Sequence, residues 1–548
     1  MSQLQETPLS AFYKWEKQTP QQIFLRQPVD GIWKSWTYQQ AGAEIRRLAT
    51  ALKSLNLPAE SNIAILSKNC AHWIMADLAI MMSGYVSVPV YATLSAAGIK
   101  EILDHSEAKL IFLGKVDDYE IQRSGIDQHL HKISFPFYGP ADGLKWDDLL
   151  HIHEPLKESN IPRPDQLASI MYSSGTTGTP KGVMLSFGSF GYVGVQVKKY
   201  FRLDKPQRFF SYLPLSHIAE RALMEMVALS SGSTISFTES LQKFQENLQH
   251  EQPTIFGGVP RIYSKFQEGI LKKIPETKLN KLLSIPLVNI FLKSMIIKKL
   301  GLSKASTIVS GAAPTPVSLL TWFKNIGMEI RETYGMTENT AYSHSNFRLI
   351  KIGTVGQAWP EIDVKCDNDG EILIRHKALM KGYFKDPVTT ARVFTEDGFL
   401  RTGDQGVIDG QGFLTITGRL KDQFKTDKAK FIAPAPIELK LLSNTDIDQV
   451  CVVGIGLPQP IALVTLSLNG REKSEQLVES EMRDAIDRVN KTLEKYEHIK
   501  VAVILQNNWS IENGLMTPSL KVKRNAVEKL YESRYLEWFN QDKVVVWE

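Results

Sequence analysis

Residues 172–182 hold the side chains of this chain that are best suited to chemistry on a polyanion. The run Tyr-Ser-Ser-Gly-Thr-Thr-Gly-Thr-Pro-Lys-Gly contains six hydroxyl groups, three glycines and one lysine. Glycines let backbone N–H groups approach an anion closely, hydroxyls donate further hydrogen bonds, and Lys181 supplies a positive charge. The composition therefore predicts a loop that binds phosphate groups.

Two alternatives to this phosphate loop can be weighed from the neighbouring residues. A Ser/Gly-rich linker is disfavoured because strand-like runs, 167–172 and 182–185, flank the loop closely. A Walker loop is excluded because Pro180 precedes the lysine and Gly182 follows it, where a Walker loop has Gly and then Ser or Thr.

Further short segments follow the loop in a fixed order. They are 310–314 (Ser-Gly-Ala-Ala-Pro), 334–338 (Tyr-Gly-Met-Thr-Glu), 402–404 (Thr-Gly-Asp), 418–422 (Gly-Arg-Leu-Lys-Asp) and 515–524 (Leu-Met-Thr-Pro-Ser-Leu-Lys-Val-Lys-Arg). Any one of them alone is weak, since a lone Thr-Gly-Asp is usually a turn and a lone lysine is usually solvated. Together with the loop they resemble the adenylate-forming (AMP-binding) superfamily, closest to long-chain fatty acyl-CoA synthetases.

The resemblance implies ATP, Mg²⁺ and coenzyme A as cofactors. The residues that it implies for nucleotide binding are Ser173, Ser174, Gly175, Thr176, Thr177, Gly178, Lys181, Gly311, Ala312, Ala313, Glu332, Thr333, Tyr334, Gly335, Thr337, Asp404 and Arg419. In such a site Asp404 accepts hydrogen bonds from the ribose hydroxyls, as a carboxylate can. The small residues at 311–313 leave room for a flat base.

The resemblance also implies a set of catalytic residues: Lys521, Thr177, Lys181, Glu338 and His217. Glu338 and Thr177 are the implied metal ligands, and Mg²⁺ does prefer oxygen ligands such as a carboxylate and substrate phosphates. Lys521 would bridge the acyl carboxylate and the α-phosphate. Lys421 would be the hinge between two domains.

The substrate prediction depends on three other segments, 67–73, 213–221 and 258–261, which look like those of fatty acyl-CoA synthetases. They imply a medium- to long-chain fatty acid as substrate. His217 lies in one of these segments, and a buried core histidine remains an alternative for it.

The segment 425–431 departs from the family pattern at Ala429, where the family nearly always has Gly beside the pantetheine tunnel. A methyl group there narrows the tunnel, and it strains the loop if φ is positive. Two further hypotheses therefore stay open beside the synthetase: a ligase that transfers the acyl group to an acyl carrier protein, and a nucleotide-binding relic. Phe187 is a second departure, at a position where the family commonly has His.

The bulk composition is that of a soluble globular protein of 548 residues, with 43% hydrophobic and 22% charged residues. A net charge of +5 without a dense basic tract argues against a nucleic-acid partner. The three cysteines lie far apart, and the first residues show no signal-peptide pattern. We therefore expect a cytoplasmic protein.

The pattern of apolar runs predicts an α/β fold. Strand-like runs, among them 208–213, alternate with helical patterns up to residue 310, which indicates mainly parallel sheets. The long apolar run 72–92 predicts a core helix followed by a buried strand. Short strands and turns in 353–418 indicate a small antiparallel β-unit. A mixed region follows, with strands at 450–454 and 461–467 and a charged helix at 475–496. We expect a large N-terminal domain (1–420) and a small mobile C-terminal α+β domain (421–548).

The segment 272–304 carries eight lysines, clusters of Leu and Ile, and Glu276 as its single acidic residue. One interpretation is a surface helical excursion. The other is a patch that contacts an anionic membrane peripherally.

Overall fold

The structure is a computed structural model that describes residues 6–173, 180–517 and 520–548. Its strands in chain order are β1 Ile23–Val29, β2 Ile32–Thr37, β3 Asn62–Leu66, β4 Val86–Val90, β5 Leu110–Leu113, β6 His131–Ser134, β7 Leu144–Lys145, β8 Leu167–Ser173, β9 Lys181–Ser186, β10 Arg208–Ser211, β11 Thr234–Phe237, β12 Ile255–Gly258, β13 Thr307–Ser310, β14 Ile330–Tyr334, β15 His344–Ser345, β16 Gln357–Ala358, β17 Asp363–Cys366, β18 Glu371–Arg375, β19 Gly382–Tyr383, β20 Leu400–Ile408, β21 Leu414–Arg419, β22 Phe424–Lys425, β23 Phe431–Ile432, β24 Ile447–Val453, β25 Ile461–Leu466, β26 Val501–Leu505 and β27 Val545–Trp547.

The α-helices are α1 Pro8–Gln18, α2 Tyr38–Ser54, α3 Ala71–Met82, α4 Ala96–Ser106, α5 Tyr119–Gln122, α6 Trp146–Ile152, α7 Phe187–Tyr200, α8 Val227–Ser231, α9 Phe244–Glu251, α10 Pro260–Leu271, α11 Glu276–Leu283, α12 Pro286–Leu300, α13 Val317–Asn325, α14 Pro387–Val393, α15 Pro434–Leu441, α16 Leu468–Arg471, α17 Glu475–Asn490, α18 Arg524–Tyr531 and α19 Tyr535–Phe539. A π-helix spans Ala219–Met226, and 3₁₀ turns span Arg123–Gly125, Thr337–Asn339, Leu420–Asp422 and Glu532–Arg534.

A nine-stranded sheet brings three of the predicted site segments to one edge. Its order is β16-β15-β14-β13-β12-β10-β11-β1-β2, and the strands from β14 to β1 pair in parallel. The carboxyl ends of β12, β13 and β14 therefore meet at the same edge, where ligands of open α/β sheets bind. Gly258, Ser310 and Tyr334 are the last residues of these strands.

An eight-stranded sheet carries the phosphate-loop segment. Its order is β19-β9-β8-β4-β3-β5-β6-β7, and the antiparallel pair β8–β9 ends with Ser173 opposite Lys181. The helix α3 contacts strands of both large sheets and is buried along its whole length. This is the core helix expected of a long apolar run, followed by the buried strand β4.

The antiparallel β-unit predicted for 353–418 is a four-stranded sheet in the order β17-β18-β20-β21. Its last pair places Asp404 on β20 directly opposite Arg419 on β21. Two site residues that lie 15 positions apart in sequence thus become neighbours through strand pairing.

The residues after 421 build a four-stranded sheet, β24-β25-β26-β27, with α15 and α17 packed beside it and a separate β22–β23 hairpin. The buried side chains of this region form two clusters of their own, made of residues from 424 to 546. Together with the two large sheets, this mixed region confirms the predicted α/β fold class.

Two predicted elements are shorter in the structure. The charged helix expected at 475–496 ends at Asn490, because the Asn490 side chain binds both the N–H and the carbonyl of Ile499. The strand predicted at 208–213 ends at Ser211, because the Asn69 amide donates a hydrogen bond to the Leu213 carbonyl (Nδ2–O distance 2.5 Å). Asn69 binds a backbone carbonyl that the longer strand would otherwise use, whereas Asn490 joins the end of its helix to Ile499, beyond the predicted helix.

Of the helices in the described ranges, none has the length and apolar composition needed to cross a membrane.

Candidate active site

The expected base-binding segment lies at the edge formed by β13 and β14. Gly311 follows β13 and donates its N–H to the Gly258 carbonyl (3.1 Å). A Cβ at Gly311 would lie 2.6 Å from the Thr333 Oγ1, so no larger residue fits there without a shift. Ala312 is in the left-handed region with φ of +65°, which turns the chain sharply away from the strand, and Ala313 is exposed.

Glu338, the expected metal ligand, lies in the 3₁₀ turn that follows β14. The Tyr383 hydroxyl donates to its Oε1 at 2.9 Å, and Met380 N–H donates to its backbone carbonyl at 2.8 Å. Burial raises the pKa of Glu338, although the Tyr383 hydrogen bond and the Arg419 charge oppose this shift. A cation beside this carboxylate would be stabilised, because burial disfavours an unpaired charge.

Lys181 comes close to the same group from the other sheet. Its Nζ lies 5.0 Å from the centroid of the Tyr383 ring, within the range of a cation–π contact. Tyr383 can occupy this place because β19 pairs with β9, next to Lys181. The pairing therefore brings the lysine of the phosphate-loop segment and the buried carboxylate of Glu338 to the two sides of one ring.

Asp404 is the centre of a second polar cluster. Its Oδ2 accepts a hydrogen bond from the Tyr334 hydroxyl at 2.7 Å, and its Oδ1 accepts one from the Arg419 Nε at 2.8 Å. The residue is buried, with Thr402 Oγ1 bound to its N–H. Each carboxylate oxygen can accept a second hydrogen bond, so Asp404 can also bind ribose hydroxyls.

Lys521 reaches this cluster from the region after 421. Two hydrogen bonds hold its backbone: Thr517 N–H donates to the Lys521 carbonyl at 2.8 Å, and Lys521 N–H donates to the Thr517 Oγ1 at 3.1 Å. Burial, aided by the nearby Arg419 charge and opposed by Asp404, lowers the pKa of Lys521 to about 8. The ammonium group is therefore mostly charged at neutral pH.

His217 lies in the segment before the π-helix, within electrostatic range of Lys521. Burial, with the charge of Lys521, lowers the pKa of His217 to about 3, so the imidazole is neutral. Its Nδ1 accepts the Ala219 N–H at 3.2 Å, which places the proton on Nε2 and makes that nitrogen a donor. The electrostatic contact with Lys521 favours a site residue over an isolated core histidine.

Asn69 fixes the segment that leads into His217. Its amide donates to the Leu213 carbonyl and to Ser211 Oγ (2.8 Å), and its Oδ1 accepts the Leu215 N–H at 3.0 Å. The side chain thus holds both ends of the turn that precedes His217. Asn69 lies in the segment 67–73 that marked the family resemblance, but its spacing alone did not indicate this contact.

An ion pair fastens the region after 421 to the nine-stranded sheet. The Arg261 Nη2 lies 3.0 Å from the Asp448 Oδ2, and its Nη1 lies 3.4 Å from the Met516 Sδ. Arg261 stands near the start of α10, directly after the site edge of β12, and Met516 lies five residues before Lys521. The contact therefore helps to hold the segment that carries Lys521.

The remaining predicted residues are distributed as follows. Ser174, Gly175, Thr176, Thr177 and Gly178 lie outside the described residues. Thr333 and Gly335 continue the site edge, Thr337 begins the 3₁₀ turn, and Lys421 is exposed in the turn after β21.

Glu332 is buried beside backbone N–H groups of Thr315 and Gly353, and burial raises its pKa to about 7. Among the described residues, its Oε2 has no hydrogen-bond partner. The carboxyl group therefore lies at the site edge, and its Oε2 can still accept a hydrogen bond.

Ala429 lies at an exposed turn between β22 and β23. Its N–H donates to the Thr426 carbonyl at 3.0 Å, and its φ is +57°. Left-handed backbone is unfavourable for a residue with a Cβ, so the departure from Gly creates the strain that a positive φ predicts.

Within residues 6–173, 180–517 and 520–548, no group of three or more His, Cys, Asp and Glu side chains is arranged to hold a metal ion. Glu338 nevertheless fits Mg²⁺ as a single hard oxygen ligand, because this ion usually binds through one or two carboxylates together with substrate phosphates.

Tyr383 was missed by the sequence reasoning. Its hydroxyl binds Glu338 and its ring contacts Lys181, yet no spacing in the sequence links residue 383 to residues 181 and 338. Only the pairing of β19 with β9 brings these groups together.

Comparison with known proteins gives two family matches. The family described as AMP-binding enzyme matches residues 12–384, and the one described as AMP-binding enzyme C-terminal domain matches residues 422–542.

Similar proteins are found over nearly the whole chain. Long-chain-fatty-acid–CoA ligase FadD15 of Mycobacterium bovis is 28% identical over 583 residues, covering 97% of this chain and 96% of that protein. Long-chain-fatty-acid–CoA ligase ACSBG2 of Homo sapiens is 25% identical over 585 residues, covering 92% and 88%. In structure, the adenylation domain of a carboxylate reductase from Mycobacterium chelonae matches with a TM-score of 0.84 at 20% identity, covering 98% of this chain and 92% of that one, a likeness of fold.

Proposed function

Because the chain belongs to the AMP-binding enzyme family, we propose that it is an AMP-forming ligase that activates a fatty acid with ATP and joins it to coenzyme A. The observation that carries this proposal is that Lys521 lies within electrostatic range of His217 and of the Asp404–Arg419 ion pair. The relatives named long-chain-fatty-acid–CoA ligases support the long-chain part of the predicted range of medium- to long-chain fatty acids.

In the first step the fatty-acid carboxylate attacks the α-phosphorus of ATP. The new O–P bond forms as the bond to the β-phosphate oxygen breaks, so pyrophosphate leaves and an acyl-adenylate remains. Negative charge accumulates on the oxygens of the α-phosphate, and fixed cations stabilise it best in a partly desolvated site. Lys521 supplies such a charge, and its pKa of about 8 keeps it mostly protonated at neutral pH.

The β- and γ-phosphates of ATP are assigned to a different part of the site from Lys521. Lys181 and the loop that it closes would bind the β- and γ-phosphates, while Asp404 would hold the ribose. Mg²⁺, when bound, would be held by Glu338, by substrate phosphates and, as the resemblance implies, by Thr177; it would neutralise phosphate charge.

In the second step the thiol of coenzyme A attacks the acyl carbon, and AMP leaves. The region from 421 onward would rotate as a domain about Lys421, which removes Lys521 and brings the turn at Ala429 to the site. The exposed position of both Lys421 and Ala429 leaves room for such a rotation.

A different acceptor of the acyl group in the second step remains an alternative because of Ala429. Its φ of +57° places a methyl group where the family has none, so transfer to an acyl carrier protein instead of coenzyme A is the competing outcome. A nucleotide-binding relic is disfavoured, since Lys521, Glu338 and Asp404 are all present and held in one site.

The location that we expect for this enzyme is the cytoplasm. The three cysteines of the chain are free in the structure, which agrees with a reducing compartment. No feature of the composition calls for a nucleic-acid partner.

The two half-reactions provide the test of this proposal. Lys521→Ala should abolish most fatty-acid-dependent ATP–pyrophosphate exchange, a loss of about 3–4 kcal/mol in activation free energy. Thiolysis of a preformed acyl-adenylate by coenzyme A should be largely unaffected. Lys523→Ala is the matched control, because this lysine lies two residues away and is exposed. Equal damage to both half-reactions by Lys521→Ala would refute the proposed role of this lysine.

A further inference from the structure

The helix α12 has an outward face that changes from apolar to cationic along its length. Leu287, Ile290 and Phe291 are 83%, 70% and 72% exposed. Ser294 and Lys298 continue this face at helical spacing and are exposed as well. The inward face is anchored in a buried cluster by side chains four residues apart, Leu292, Ile296 and Leu300.

The exposed apolar side chains of this surface are contiguous. Of the seven residues from 285 to 291, five are exposed large hydrophobic residues, since Ile285 and Val288 join the three on the outward face. Single exposed apolar residues are normal on any protein, but a contiguous patch marks an interaction site.

Lysines flank this apolar patch in the sequence on both sides. Lys272, Lys273, Lys278, Lys281, Lys298, Lys299 and Lys304 are exposed, and Lys293 is half-buried. Among the described residues, only Lys272 of this set forms an ion pair, with Glu472 at 3.3 Å. Glu276 is the single acidic residue of the segment, so the surface keeps a strong positive charge.

The combination of exposed apolar side chains with lysines favours one class of binding partner. A second copy of the chain is disfavoured, because a two-fold interface would place the same lysines against each other. A nucleic acid would satisfy the lysines but not the apolar side chains. An anionic bilayer satisfies both, since its acyl chains accept apolar side chains and its headgroups attract lysines.

We propose that the surface formed by α11 and α12 (residues 272–304) docks on an anionic lipid bilayer. Leu287, Ile290 and Phe291 insert among the acyl chains, and the flanking lysines lie at the level of the headgroups. The contact is peripheral and does not depend on the proposed reaction.

Vesicle co-sedimentation of the full chain, without ATP or fatty acid, tests this surface separately from catalysis. The wild type should bind vesicles of phosphatidylcholine with phosphatidylglycerol, bind phosphatidylcholine alone more weakly, and lose affinity as salt rises. Equal binding to both kinds of vesicle, or to neither, would overturn the assignment.

Matched substitutions test the two parts of the surface. Leu287→Asp with Phe291→Asp should weaken binding at least about tenfold, whereas Ile152→Asp, a control with the same 72% exposure as Phe291, should not. Lys278→Gln with Lys281→Gln should weaken binding roughly five- to thirtyfold. Lys157→Gln with Lys495→Gln, exposed lysines elsewhere, should have little effect.

Two further measurements serve as controls for folding and for self-association. Circular dichroism and activity with a soluble medium-chain acid should match the wild type for every variant, because the substituted residues lie on the surface outside the site. If sedimentation velocity shows a wild-type dimer that Leu287→Asp with Phe291→Asp dissociates, and vesicles do not bind, the surface is an interface between copies and the membrane proposal is wrong.

Discussion

At the scale of single residues, the site is built on charges whose protonation states are set by burial. Lys521 has its pKa lowered to about 8, and His217 has its pKa lowered to about 3. One group is thus a cation at neutral pH and the other a neutral hydrogen-bond donor. A second cation at His217 would repel Lys521, so the two shifts are mutually consistent.

The shifted lysine predicts a pH dependence of the first half-reaction. Lys521 is protonated below its pKa and neutral above it, so kcat/KM for ATP in pyrophosphate exchange should fall as pH rises through about 8. Lys521→Arg should be slower but should lose this alkaline decline, because a guanidinium stays protonated. If the decline persists unchanged in Lys521→Arg, another group titrates.

The left-handed backbone at Ala429 predicts a gain from glycine. Ala429→Gly removes a methyl group and a strained φ. The apparent KM for coenzyme A should therefore fall roughly fivefold, which corresponds to about 1 kcal/mol of binding free energy. Glu60→Gly is the control, because Glu60 has the same φ of +57° at an exposed position elsewhere. If neither wild type nor Ala429→Gly forms acyl-CoA while both make acyl-adenylate, the carrier-protein alternative is correct.

The sequence could predict single residues only where the resemblance supplied a role. Asp404 and Glu338 were assigned from short segments, and the structure places both in buried polar clusters. The φ of Ala429 could not be predicted, because the same residue type also adopts helical and extended backbone without strain. Tyr383 could not be found either, because its contacts depend on strand pairing across the whole chain.

At the scale of elements, the parallel strands position the proposed nucleotide-binding edge. The alternation of apolar runs predicted these strands well, because both faces of a parallel sheet are covered and its strands are continuous apolar runs. Element ends were predicted less well. Asn490 ends its helix by binding Ile499, and Asn69 ends β10 by binding Leu213, 144 positions away in sequence. No local sequence pattern reveals these hydrogen bonds.

The contact between Arg261 and Asp448 predicts an effect restricted to adenylation. Both side chains are partly exposed, so the ion pair should contribute about 1 kcal/mol to docking of the Lys521 segment. Arg261→Ala should therefore slow pyrophosphate exchange by a few-fold and leave thiolysis of a preformed adenylate unchanged.

Lys272→Ala is the matched control for this contact. It breaks the Lys272–Glu472 pair, which joins the same two regions but is much more exposed, at 74% and 67%. We expect no change in either half-reaction for Lys272→Ala. A similar loss in both variants would show that the general charge of the interface matters, and not the Arg261 contact.

At the scale of the whole molecule, the proposed mechanism assigns the arrangement in this structure to the first half-reaction. Lys521 interacts electrostatically with Arg419 and Asp404, while the turn at Ala429 is exposed. The sequence indicated a region of separate character after residue 421, but not how that region packs against the rest of the chain. That choice depends on contacts between distant segments, such as the one between Arg261 and Asp448.

The most direct test of the central claim is mass spectrometry of the products formed from ATP and a panel of fatty acids, with and without coenzyme A. We predict acyl-adenylate and pyrophosphate when coenzyme A is omitted, and acyl-CoA with AMP in equal amounts when it is added. Release of ADP and phosphate, or the absence of any fatty-acid-dependent AMP, would contradict the account.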